Sequence, residues 1–250
     1  ARHMTTQHAN SKSRRKSDHL AHQPPSHTLL DTIDEVVTVL EKPLLRGVSH
    51  QIAFFFAFPL AYWLIGQAAS DTARLCATVY GVSLIALLGI SALYHRKHWQ
   101  PAARVKMKRL DHANIFLFIA GSYTPITIVG VGGSFGKLLC AILWAGAAFG
   151  VLQTVFWPTA PRWLHVGTYV VLGWTGALGL PGEWRNLGPQ VVALHVAGGI
   201  IYTLGALTYA RKRPNPFPKV FGYHEIFHLL VLIACGALFE VVRQCLLHPA

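Results

Sequence analysis

Leu75–His95 reads LCATVYGVSLIALLGISALYH and holds no Asp, Glu, Lys or Arg. As an α-helix rising 1.5 Å per residue it covers about 30 Å, the thickness of a bilayer's hydrocarbon. It shows no period-two alternation and is rich in Ala, Leu and Gly, which argues against a strand. Working outward from it, the chain carries seven such apolar runs, at approximately 50–67, 74–95, 112–131, 136–156, 163–180, 190–210 and 222–246. Of the 250 residues 52% are hydrophobic and 13% charged, against roughly a quarter charged in soluble domains. The expectation is an all-α integral membrane protein: one seven-helix bundle over 44–250, with no room for a second domain.

The start of the chain reads differently. Ala1-Arg2-His3-Met4 looks like a cloning scar, so the native chain is expected to begin at Met4. Residues 1–27 read as a disordered tail, polar and basic, with no cleavable signal peptide. Residues 28–43 read as an amphipathic interfacial helix, with Leu29, Leu30, Ile33, Val37 and Leu40 on one stripe and Asp31, Asp34, Glu35 and Glu41 elsewhere.

Net charge is +12, and its distribution matters more than its size. The N-terminal side, with loops 2–3, 4–5 and 6–7, carries 18 Lys and Arg. The other side carries 4: Arg74, Lys137, Arg185 and Arg243. The positive-inside rule then places the N-terminus in the cytoplasm and the C-terminus outside. The surplus reads as a topology signal and an anionic-lipid contact, and it argues against a nucleic-acid partner.

That topology gathers the chemistry. The run quoted above ends in Ser91-Ala-Leu-Tyr-His95, Leu110-Asp111-His112 opens the third helix, and His224-Glu-Ile-Phe-His228 opens the seventh. All are expected at one depth, just beneath the cytoplasmic surface. His224 and His228 are four residues apart and share a helix face, as do Ser91 and His95. Three imidazoles and a carboxylate suit a catalytic zinc ion, which asks for nitrogen ligands and an oxygen to hold or polarise a water. Ionisable groups at membrane depth mark function. Taken singly, each histidine also reads as an interfacial side chain reaching toward headgroups. Taken as a set, they point to a metal.

These motifs resemble the hemolysin III family, which groups with the progestin and adipoQ receptors, the adiponectin receptors among them, and more distantly with the alkaline ceramidases. Further likeness lies in Lys42-Pro43-Leu44-Leu45-Arg46-Gly47-Val48-Ser49-His50, in Ile119-Ala120-Gly121-Ser122-Tyr123-Thr124-Pro125 and in Phe221-Gly222-Tyr223 before His224. The resemblance covers roughly 40–246. It implies zinc held by His95, His224 and His228, Asp111 reaching the metal through a water, and Ser91 behind the ligands as a hydrogen-bond partner. It also implies residence in a bacterial plasma membrane.

Other features compete. His224-Glu225-Ile-Phe-His228 matches the zincin pattern, in which the Glu is a general base; pairing of Glu225 with a basic residue such as Lys219 is the rival reading. His112 points to another face than Asp111, and His165 and His98 read as interfacial or solvated. His195 reads as a packed or hydrogen-bonded core histidine. Cys76, Cys140, Cys235 and Cys245 form no Cys-x-x-Cys pair and read as small buried residues. Gly146 and Gly150 suit either a homo-oligomer contact or close packing within the bundle. Pro59 and Pro125 are expected to kink their helices.

Three functions follow from different classes. One is a zinc hydrolase of lipid amides or esters, with Asp111 taking a proton and a membrane lipid or fatty acid as partner. A second is a non-enzymatic receptor or membrane-homeostasis protein with structural zinc. The third is a pore-forming cytolysin, against which stands the lack of a polar stripe along any helix.

Overall fold

The structure, a computed structural model, describes residues 42–248. The tail expected over 1–27 lies outside them, as does all but the end of the interfacial helix expected over 28–43. From Pro43 onward the chain is one compact unit. Its elements are α1 (Val48–Gly66), α2 (Asp71–Arg96), α3 (Pro101–Pro125), α4 (Gly133–Phe156), α5 (Arg162–Thr175), α6 (Leu180–Leu187), α7 (Pro189–Arg211) and α8 (Tyr223–Leu247). A π-helical turn, Ile126–Val131, extends α3, and a 3-10 turn, Gly176–Gly179, joins α5 to α6. Among the described residues, Phe217 and Phe221 make an isolated β-bridge and no strand forms.

Among the described residues, six helices are long and apolar enough to cross a membrane: α1, α2, α3 with its π turn, α4, α7 and α8. The stretch expected as a further crossing, 163–180, is segmented. α5 stops at Thr175, passes through the 3-10 turn and resumes as α6. Gly173, Gly176, Gly179 and Gly182 crowd this region, and each costs a helix about 1 kcal/mol relative to Ala. Pro181 is tolerated because it stands in the first turn of α6. Gly176 also answers to packing, since a Cβ there would lie 2.0 Å from the Tyr123 ring.

The start of α3 departs from expectation as well. The helix begins at Pro101, so Arg104, Lys106, Lys108 and Arg109 ride on its first turns rather than on a loop. At its far end Pro125 lacks an N–H and crowds the carbonyl four residues back. The helix answers with the π turn.

Burial ranks the helices. In α3 and its π turn 72% of the apolar window is buried, against 22% in α1 and α7 and 28% in α4, so α3 is the central post. It packs on α2 and α4, while α1 packs on α2 and α7 on α8. Contact between α8 and α1 closes the ring. The outward faces expose Phe55, Phe56, Tyr62, Phe149 and Val171, a surface fit for lipid rather than water. Gly146 and Gly150 meet Leu172 and Phe116 of the same chain, which accounts for both by packing within the bundle. All four cysteines are free thiols.

Candidate metal centre

The segment before α1 sets one wall of the site. Leu44 and Leu45 donate their N–H groups to the carbonyls of Lys219 and Val220, at 2.9 and 3.1 Å, which ties this segment to the lead-in of α8. Gly47 then turns the chain with a φ of 77°, and a Cβ on it would fall 2.6 Å from the Cβ of His95. Only glycine meets both demands without strain.

Glu225 fixes the start of α8. One carboxylate oxygen accepts the N–H of Gly222 at 2.7 Å, and the other accepts from the guanidinium of half-buried Arg46. Both oxygens are therefore engaged in a helix cap and an ion pair. That is a structural role, and the zincin reading of His224-Glu-Ile-Phe-His228 gives way to it. The partner is Arg46, not Lys219.

With α8 so anchored, the ends of α2 and α8 meet. The ring nitrogens of His95, His224 and His228 that face one another all lie within 4.8 Å. Nε2 of His224 is 3.3 Å from Nε2 of His95, within hydrogen-bond reach when one of the two carries its proton there. His95 and His228 are buried and His224 is half-buried. Oδ2 of Asp111 lies 3.8 Å from that same Nε2 of His95. Ser91, one turn before His95, shares an interaction with Asp111 and lies 2.9 Å from Nδ1 of His50. All five singled-out residues thus sit at one end of the bundle. Asp111 belongs to the third turn of α3 rather than its opening.

His50 is the residue that motif reading missed. It is 3% exposed, and its ring stacks on that of His228 with centroids 3.9 Å apart and planes 7° off parallel. It braces a member of the cluster and holds Ser91 without joining the close group of three. Its signal was present in Val48-Ser49-His50, where an imidazole opens an apolar helix. His112 and His165 pair edge to face at 6.4 Å, and His165 is buried. His195 is hydrogen-bonded in the core, with Tyr123 and Glu183.

The donor set fits a metal ion. Two buried imidazoles and a half-buried third, turned toward one another in an apolar bundle, would pack poorly as bare polar rings. The Nδ1 of His228 has no hydrogen-bond partner among the described residues. Such a cluster at one end of an apolar bundle defines a class: a polytopic membrane protein with a buried histidine centre.

Comparison with known proteins narrows the class to a family. The description "Haemolysin-III related" covers residues 38–239, and the chain belongs to that family. Hemolysin-3 of Bacillus cereus is 29% identical over 227 residues, spanning 89% of this chain and 100% of its own length. The Hemolysin-3 homolog of Bacillus subtilis (strain 168) is 27% identical over 206 residues, 81% of this chain and 93% of its own. The adiponectin receptor protein of Drosophila melanogaster is 26% identical over 221 residues, 80% of this chain and 50% of its own. With six apolar crossings and these bacterial relatives, the protein is a multi-pass bacterial membrane protein.

Proposed function

We propose that this protein is a membrane-embedded zinc hydrolase acting on amide or ester bonds of lipids, in the service of membrane lipid homeostasis. His95, His224 and His228 hold the zinc. When bound, zinc supplies the Lewis acidity that makes a water nucleophilic near neutral pH and polarises a carbonyl. Asp111 takes the proton of the attacking water and passes it to the leaving group. Ser91, bonded to His50, keeps the polar groups around Asp111 in register.

The observation that carries this reading is the placing of Asp111. Its carboxylate stands 3.8 Å from a cluster nitrogen and is only 13% exposed. A carboxylate at one remove from the metal does little for a structural clamp, whereas hydrolysis needs a base there. Three nitrogen donors rather than four in the close group support an open position for water and substrate, as catalytic sites require.

A lipid substrate is supported by a lipid-facing apolar groove of 510 Å³ between α1, α2 and α8, lined by Ser49, Phe56, Tyr80, Leu88, Leu232 and Phe239. Ser49 is next to His50, Leu88 is a turn from Ser91, and Leu232 is a turn from His228, so an acyl chain in the groove leads to the cluster. We also infer that α5, the 3-10 turn and α6 together make a seventh crossing. Arg162–Leu187 as one helical path reaches about 39 Å at 1.5 Å per residue. The basic asymmetry then sets the N-terminus in the cytoplasm and the C-terminus outside.

The test is fatty-acid release from ceramide-like amides and ester lipids by the purified full chain in phospholipid nanodiscs. Release that stops on chelation and returns with zinc is expected. A fully zinc-loaded protein that releases nothing from either lipid class overturns the enzyme reading in favour of a structural zinc.

A further inference from the structure

From Pro43 to His248 the sequence holds five acidic residues: Asp71, Asp111, Glu183, Glu225 and Glu240. Asp71 and Glu240 pair with Arg74 and Arg243 within their own helices, and Glu225 pairs with Arg46. Asp111 stands at the histidine cluster. That leaves Glu183 of α6, which is 0% exposed and lies 2.7 Å from Nδ1 of His195 in α7. Its other oxygen, Oε1, is buried without a hydrogen-bond partner among the described residues. The group is remote from the cluster. Tyr123, which completes it, lies about 18 Å along α3 from Asp111.

Hydrogen-bond direction fixes what this group holds. The Tyr123 hydroxyl is 2.7 Å from the Gly173 carbonyl and 3.0 Å from Nε2 of His195. A carbonyl only accepts, so the single phenolic proton goes to Gly173 and the phenolic oxygen accepts from Nε2–H. A neutral imidazole protonated at Nε2 turns a lone pair outward at Nδ1. An ionised carboxylate also offers only lone pairs, and two acceptors do not close to 2.7 Å. One more proton must lie between them, on a carboxylic acid donating to Nδ1 or on an imidazolium donating to the carboxylate.

We propose that Glu183, His195 and Tyr123 form an intramembrane proton-binding site, separate from the histidine cluster, that carries one exchangeable proton on the Glu183–His195 pair. On release the O–H or N–H bond breaks, its electron pair stays on the site, and the proton passes to water. The site is then left with one net negative charge. Among the described residues, the groups seen to pack around it carry no positive charge to balance it. α3 presents Tyr123, α7 adds Tyr202 near Tyr123, and α8 presents the Cys245 thiol within the field of Glu183. Val131 of the π turn and Leu139 of α4 line the gap at Gly179 beside Oε1. Proton release therefore strains the α6–α7 contact. It does so beside the 3-10 turn, where the helical path is already broken. Buried Glu–His chains at membrane depth carry protons in other membrane proteins for the same physical reason.

Infrared pH-difference spectra of the full chain in phospholipid nanodiscs test this, with Glu183→Gln, His195→Gln and Tyr123→Phe alongside. The wild type is expected to show a one-proton titration whose carboxyl bands vanish in Glu183→Gln. His195→Gln and Tyr123→Phe should each move its midpoint by at least about one pH unit, a tenfold change in proton affinity. Identical difference spectra for wild type and Glu183→Gln, or a midpoint that neither other variant moves, overturn the site. Should Glu183→Gln fail to fold, Tyr123→Phe decides alone. It removes one hydroxyl and keeps the ring's shape, and an unmoved midpoint then counts against the proposal.

Discussion

Gly47 turns with a φ of 77°, and a Cβ on it would lie 2.6 Å from that of His95. Gly47→Ala should therefore cost about 1–3 kcal/mol from the left-handed backbone and the crowding together. It should also weaken metal binding, because His95 must shift to make room. A drop in thermal midpoint with reduced zinc content checks this, and an unchanged zinc content would free His95 from that constraint. Glu225→Gln makes the complementary case. The amide can still accept from Gly222 but leaves Arg46 without its counter-charge, so stability should fall by about 1–3 kcal/mol while zinc content and turnover per folded molecule stay near wild type. Loss of turnover at full stability and full zinc would restore Glu225 as the base. The five motif residues were legible because Ser-x-x-x-His and His-x-x-x-His put polar groups on one helix face at the ends of apolar runs. His50 was not, because a lone histidine at a helix start carries no spacing of its own. Glu183 stood in plain view as the one acidic residue between Asp111 and Glu225, but its partners come from other helices.

At the scale of elements, the histidine cluster joins α2 to α8, and a metal held there should contribute to stability as any ligand of the folded state does. Chelation should lower the thermal midpoint of the wild type and leave a His224→Ala, His228→Ala double variant unmoved. Because zinc needs neutral imidazoles, protons compete with it, and the gap between metal-loaded and chelated protein should close as pH falls. A chelation effect that persists in the double variant would place the metal elsewhere. Six crossings could be read from apolar length alone, since Leu and Ala runs such as Leu84–Leu88 leave no other structure open to the backbone in lipid. The break within 163–180 could not, because hydropathy does not register that Gly173, Gly176 and Gly179 loosen a helix or that Gly176 is needed under the Tyr123 ring. The early start of α3 was masked likewise: Arg104 to Arg109 look like loop by charge, yet they are good helix formers behind a first-turn proline.

For the whole molecule, orientation decides which side of the membrane the cluster faces. Single-cysteine labelling of intact cells with an impermeant reagent, in a background without the native cysteines, should modify position 250 and spare Gln100 before α3. The reverse pattern would invert the topology. A catalytic metal centre needs Asp111 to act beside a metal that it does not itself hold. Purified Asp111→Asn, compared with wild type in the same nanodiscs, tests that most directly through zinc content and lipid hydrolysis read on one preparation. Asparagine keeps the shape but cannot take a proton, so the expected result is retained zinc with hydrolysis reduced about 100-fold or more. Retained zinc with undiminished hydrolysis would contradict the account.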